Sequence, residues 1–269
     1  MSDFLASMAR SSVERAATVD PHIGDGPLER PLVPLEFDGF DLIAEIKARS
    51  PAEGELATAG EDRVERARQY VAGGAAAISV LTEPSRFAGS LEHLEAVAEG
   101  VPGTPVMRKD FLVAPVQVDE ARRAGASGVL LIVAMLDDAG LRAMLDTAYE
   151  HGLFVLLEAF DESDLGRLSA LLDSSIDRDM ADRGRLLAGV NSRNLRTLEV
   201  DAGRLEALAP LLPRAHCVAE SGLKTPDDAA AAAAAGYRLG LVGTALMRSR
   251  DPAALIRAMR EAGSRALAA

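Results

Sequence analysis

The chain has 269 residues, 48% of them hydrophobic, and a formal net charge of -12. That acidity argues against nucleic acid as a partner, because a phosphate backbone needs a basic face, and no apolar stretch approaches the roughly 20 residues of a membrane span. A single cysteine, Cys217, excludes an internal disulfide; with no leader pattern at the start, a cytoplasmic protein is expected.

Residues 2 to about 19 predict a helix, with Phe4, Leu5, Met8, Val13 and Ala16 near helical spacing and Asp20-Pro21 as its stop. Proline, glycine and charge then dominate to Gly39. After it a rhythm begins. Short apolar runs fall at Leu42–Lys47, Ala76–Leu81, Pro105–Lys109, Gly128–Val133, Leu153–Glu158, Leu186–Val190, His216–Glu220 and Leu239–Val242. Helical patterns separate them. Leu141, Met144, Leu145 and Ala148 recur at i, i+3, i+4 and i+7 before Gly152, Thr225-Pro226 opens an alanine-rich helix that ends at Gly236, and Asp251-Pro252 opens the last helix.

Eight runs alternating with helices predict an α/β fold: a single (β/α)8 TIM barrel with an extra N-terminal helical segment. The expected domain is 1–269, with residues 1–40 an extension that packs on or near the barrel mouth. A doubly wound open sheet is the competing architecture. Against it, no Gly-rich dinucleotide fingerprint follows the first strand, and polar residues recur at the carboxyl ends of many strands.

Those ends are where barrel enzymes place their chemistry. In the stretch LIAEIKARSP, Glu45 and Lys47 stand two residues apart and so share one face of a buried strand. Lys109 ends the third run, Glu158 the fifth, Asn191 follows the sixth, and Glu220-Ser221 closes the seventh. Ion pairs plugging the barrel are the bland alternative, weakened because five strands contribute at the same end. Beyond the last two strands, Gly222 and the run Gly243-Thr244 offer backbone N–H groups and a helix start to an anion, as phosphate-binding barrels do. Asp137-Asp138, after the fourth strand, is explained by a helix N-terminus. His22, His93, His151 and His216 do not fall at metal-ligand spacings, so no metal is expected; His93 and His151 read as solvated helix positions, and Cys217 as buried.

The motifs AEIKARSP, SVLTEPSRFAGSL, VMRKDFLV, VLLEAF, GVNSRNL, AESGL and LVGTALM occur in that order at these strand ends. Together they resemble indole-3-glycerol phosphate synthase of tryptophan biosynthesis, over essentially the whole chain. The resemblance implies ring closure of 1-(2-carboxyphenylamino)-1-deoxyribulose 5-phosphate with loss of carbon dioxide and water, with no cofactor. It implies Lys109 as general acid, Glu158 as base, Lys47 as a second acid or electrostatic partner, and Glu45 as its positioner. Asn191 and Ser221 would orient the substrate with Glu220 nearby, Phe111 and Arg193 would line the anthranilate side, and Ser50, Gly222, Gly243 and Thr244 would hold the phosphate.

Two other readings stay open: another phosphosugar barrel enzyme of isomerase type, and a non-catalytic barrel that binds a phosphorylated ligand. The first would need a Cys or Asp acid–base pair at strand ends; the second would not need both lysines and Glu158. The partner expected is a small phosphorylated molecule, and the chain is expected as monomer or homodimer. The Ser50–Gly60 loop, punctuated by Pro51, Gly54 and Gly60, is expected to be mobile, and the charged segment Asp173 to Arg185 to affect only the bottom face.

Overall fold

Each apolar run of the sequence becomes a strand, and the parity of its residues decides which side of the sheet they fill. The computed structural model describes residues 3–28, 30–51, 53–56, 62–193, 199–201 and 203–269. The strands are β1 (Asp41–Ile46), β2 (Ala77–Leu81), β3 (Val106–Lys109), β4 (Gly128–Ile132), β5 (Phe154–Ala159), β6 (Leu186–Asn191), β7 (His216–Glu220) and β8 (Leu239–Val242). Each pairs in parallel with its neighbours in sequence, and β8 pairs back onto β1, with Asp41 opposite Leu239, so the sheet closes into a barrel.

Closure gives every strand an inside and an outside. Leu42, Ala44 and Ile46 of β1 belong to the outer layer that packs on the helices, as do Val155, Leu157 and Ala159 of β5. Ile43, Met107, Leu130, Phe154, Leu156, Leu187, Val218 and Leu239 fill the interior. Alternation therefore continues each interior row into Glu45, Lys109, Glu158, Asn191 and Glu220 at the carboxyl ends. Strand limits differ from the sequence reading by a residue: Lys47 lies just past the end of β1, and Asn191 closes β6 rather than following it.

The helices follow their caps. Thr225 and Asp228 cap each other's backbone at the start of Pro226–Ala234, and the Asp251 carboxylate accepts from Ala254 N–H at the start of Pro252–Leu267. Asp137 caps Asp138–Glu150, whose buried face is Leu141, Met144, Leu145 and Ala148. The segment from Asp173 to Arg185 holds the helix Ser175–Asp182 and leads into the amino end of β6, the end opposite the charged residues.

The N-terminal helix α1 (Asp3–Ala16) is shorter than the sequence spacing predicts. The Thr18 N–H and hydroxyl both donate to the Arg15 carbonyl, and Val19 N–H donates to that of Ala16, so tight turns end the helix before Asp20-Pro21 is reached. Its buried face is Leu5, Met8 and Ser12; Val13, which the spacing assigns to that face, is 57% exposed.

Ser50 belongs to a short antiparallel hairpin, Arg49–Ser50 against Gly54–Glu55. Of the loop expected to be mobile, residues 52 and 57–60, Gly60 among them, lie outside the described residues.

Cys217 is buried in the outer layer, and desolvation pushes its thiol up to about 12. A thiol reagent at about pH 8 is therefore expected to leave the folded protein unmodified and to titrate one thiol once denaturant is added. Stoichiometric labelling of the native protein would contradict that placement.

Candidate active site

A cavity of about 460 Å³ opens at the carboxyl ends of the strands. All of the residues singled out in the sequence line it: Glu45, Lys47, Ser50, Lys109, Phe111, Glu158, Asn191, Arg193, Glu220, Ser221, Gly222, Gly243 and Thr244. Two cation–carboxylate groups organise its floor. Lys47 Nζ lies 2.6 Å from Glu45 Oε1, and Lys109 Nζ lies 3.2 Å from both Glu158 Oε2 and Glu220 Oε2.

Burial sets the electrostatics of this floor, since Glu45, Glu158 and Glu220 are each no more than 3% exposed. Desolvation alone would push the Lys109 ammonium down; the charges of Glu158, Glu220 and Glu45 outweigh it and hold its pKa above the usual lysine range. Desolvation would likewise push Glu45 up, but Lys47 and then Lys109 pull it below the ordinary carboxylate value. Glu220 goes the other way: burial, with the neighbouring Glu158 charge added, raises it well above that value despite Lys109.

Local backbone explains the rest. Register places Gly189 opposite Glu158, and Glu220 Oε1 lies where a side chain at Gly189 would be, so the missing Cβ lets the Glu220 carboxyl fit beside its neighbour. Asn191 lies opposite Glu220; its amide donates to Glu158 Oε1 at 3.2 Å, and its Oδ1 accepts from Ser221 Oγ at 2.8 Å. Ser221 has φ +64°, followed by Gly222 at +90°. For a serine this left-handed backbone costs about 1–3 kcal/mol and recurs where a site dictates it. Arg193 N–H also donates to Asn191 Oδ1, at 2.9 Å.

Opposite the charges stands an aromatic wall. Phe4 of α1 meets Phe111 edge-on at 5.8 Å, and Phe87 lies 6.1 Å from the same ring. Phe87 is held by the buried Glu83 carboxylate, which accepts from Ser85, Arg86 and Phe87 N–H groups.

Gly243 opens the short helix Thr244–Arg248, and the structure adds a constraint to the anion role expected for it. A Cβ there would collide with Glu45 Oε1 and come 2.9 Å from Lys47 Nζ. Gly243→Ala is therefore expected to displace the Glu45–Lys47 pair and lower kcat/KM about a hundredfold. A value within threefold of wild type would refute the constraint.

Sequence reading missed Phe4, Leu5, Phe87 and Asp110, which also line the cavity. Only the RKDF motif signalled Asp110. Among the histidines, His151 is no solvated helix position: it follows the helix as its cap, its side chain is 17% exposed, and Nε2 lies 2.6 Å from Asp119 Oδ1. Among the described residues, no group of three or more His, Cys, Asp or Glu side chains is arranged to hold a metal ion. None of their helices is long and apolar enough to cross a membrane.

A closed parallel barrel with ammonium and carboxyl groups buried in the cavity at its carboxyl end is the build of a (β/α)8-barrel enzyme. Solved structures agree on the fold: 3-hexulose-6-phosphate synthase from Salmonella typhimurium superimposes with a TM-score of 0.62 at 16% identity, over 84% of this chain and 100% of that one. The family model described as Indole-3-glycerol phosphate synthase matches residues 35–259. The chain is 48% identical to the indole-3-glycerol phosphate synthase of a Nocardioides species over 87% of this chain and 85% of that one. It is 42% identical to that of Methanopyrus kandleri over 97% and 98%. The chain belongs to the indole-3-glycerol phosphate synthase family, carboxy-lyases of tryptophan biosynthesis.

Proposed function

We propose that the protein converts 1-(2-carboxyphenylamino)-1-deoxyribulose 5-phosphate into indole-3-glycerol phosphate, carbon dioxide and water. The observation that carries the reading is Lys109, a buried ammonium kept charged by three glutamates on the cavity floor.

The ring carbon bearing the carboxylate attacks the ketone carbon. A C–C bond forms, the carbonyl π pair moves to oxygen, and that oxygen takes a proton from Lys109. Carbon dioxide leaves, and the electron pair of its C–C bond returns to the aromatic ring. In the dehydration Glu158 removes a proton from the new ring while hydroxide departs, protonated by Lys47, as water. Two protons leave lysines and one reaches Glu158, so each turnover draws one proton from solvent, as loss of a carboxylate as neutral CO2 requires. Glu45 holds Lys47, Asn191 and Ser221 orient the substrate hydroxyls beside Glu220, and Phe111 and Arg193 flank the anthranilate ring. Ser50, Gly222, Gly243 and Thr244 receive the phosphate. Every proton in this scheme has a donor and an acceptor among these side chains, so no cofactor is written into it.

The whole chain then works as one barrel domain, as a cytoplasmic monomer or homodimer acting on a free small molecule, with α1 alone of the expected 1–40 extension seated at the mouth. Val33 N–H donates to Ser127 Oγ before β4 and Phe37 meets His216 at the start of β7, so the stretch behind α1 runs along the amino end instead. Support comes from Leu5 and Met8, buried with Phe111 and Phe160 in the interior cluster. The test is indole fluorescence on adding the substrate. The chain has no tryptophan, so product emission stands against a dark background. No emission and no proton uptake from the wild type would refute the reading.

A further inference from the structure

We propose that Asp110 is a positioning residue that fixes Lys109 and Phe111, and that Arg15 is its counter-ion, so that seating α1 sets the geometry of the acid. This rests on the acid role given to Lys109 above.

The backbone needs such a device. Strand β3 ends at Lys109, whose carbonyl accepts the Thr82 N–H, and Asp110 is the first residue beyond it. Lys109, the last residue of β3 that the sheet pairs, and Phe111, two residues beyond it and past the ladder, both face the cavity. The Asp110 side chain replaces the ladder. It is fully buried and accepts a parallel fork from Arg15, Nη1 to Oδ2 and Nη2 to Oδ1, each at 2.8 Å. Thr82 Oγ1 donates to Oδ2 at 2.7 Å, Phe111 N–H to Oδ1 at 2.8 Å, and Arg108 Nη2 lies 3.5 Å from Oδ2. Three separate elements, α1, the end of β2 and β3 itself, thus grip one carboxylate beside the acid. Burial would raise that carboxyl, but Arg15 and Arg108 hold it below the usual range, so it meets the fork as an anion.

The helix is registered by a second contact, Gln117 Nε2 donating to Ser12 Oγ at 3.0 Å, and by Phe4 on Phe111. Arg15 is the polar member of this seat whose bond reaches the residue next to Lys109. Exchanging a buried ion pair for apolar groups is often neutral for stability, whereas a displacement of about 1 Å at a reacting group costs about a hundredfold in rate. Positioning and folding should therefore separate.

The experiment measures kcat, KM and thermal unfolding for Asp110→Asn, Arg15→Met, Arg15→Lys and the Asp110→Asn/Arg15→Met double variant in the full chain. Asp110→Asn is expected to lower kcat about thirtyfold with KM within about threefold, and Arg15→Met about tenfold. Arg15→Lys, which keeps one charged hydrogen bond, should recover to within about threefold of wild type. The double variant should be no slower than Asp110→Asn, because both changes break one device. An Asp110→Asn kcat within twofold of wild type, a loss confined to KM, or additive losses in the double variant would overturn the inference. Should Asp110→Asn fail to fold, Arg15→Met decides alone, at a position whose side chain is 25% exposed, and a kcat within twofold of wild type counts against the proposal. A wild type that forms no indole defeats the ring-closing reading instead; a turning-over wild type with unaffected variants defeats only this one.

Discussion

Replacing Lys109 with alanine is expected to lower kcat for indole formation by about 10³ to 10⁴, with KM changed less than about tenfold. The ammonium is the cation shared by Glu158 and Glu220, and Lys47 cannot take its place because it is paired with Glu45 at 2.6 Å. The same change should leave a signature in stability. With Lys109 gone, Glu220, already raised by burial and by the charge of Glu158, loses the cation that opposed them and holds its proton to still higher pH than in the unfolded chain. A carboxyl whose pKa is raised on folding destabilises the native state above its unfolded value, so the variant should weaken as pH rises from about 5 to 8. In the wild type the raised Lys109 pKa acts oppositely: its stabilisation is fully present below the ordinary lysine value of 10.5 and is lost only as pH climbs through the higher folded value. The difference in Tm between the two proteins should widen with pH. A variant turning over within tenfold of wild type, or a gap widest in acid, would remove Lys109 from the centre of the scheme.

Glu158→Gln should cost about 10² to 10⁴ in kcat, since the amide keeps the shape and the hydrogen bond from Asn191 but cannot take a proton. Its stability should move the other way from its activity. Glu220 is held high first by burial and then by the charge on Glu158. Removing that charge lets the Glu220 pKa fall toward the ordinary carboxylate range, and the penalty on folding above that range shrinks. The variant should be nearly inactive yet at least as stable as wild type at about pH 8. Thermal unfolding at two pH values, run beside the fluorescence assay, reads both effects. A variant that loses activity and stability together at alkaline pH would mean that the carboxylate pair is not strained in the way described.

The barrel was legible because eight runs with alternating helices admit few topologies, and because parity along each run assigns an inside. Glu45 follows from Ile43, Glu158 from Leu156, Glu220 from Val218, with no knowledge of their partners. What parity cannot supply is the state of charge. That Glu220 is raised while Glu45 is lowered depends on the neighbouring strands: Glu220 is buried beside the charge of Glu158, whereas Glu45 lies against Lys47 and within reach of Lys109. Arg15 was illegible for a related reason: its partner is 95 residues away, and on a helical wheel it looks like a solvated arginine. Val13 was misassigned because the buried face of α1 turns through Ser12, whose hydroxyl bonds to Gln117. His151 was misread because its Asp119 partner lies on another helix. Gly243 was read for what it offers an anion, while the room it leaves for Glu45 appears only when β8 lies beside β1.

That last adjacency has a consequence for the chain as it is made. Residue 41 waits for residue 239 before the first strand has both neighbours, so the ring cannot close until almost all of the chain has left the ribosome. Until then β1 and the newest strand present unpaired apolar edges, open to intermolecular pairing. The non-local closure also makes for slow folding. Catalytic competence therefore arrives last and all at once: Glu45 and Lys47, among the earliest residues synthesised, gain the slot beside Gly243 only with the final strand.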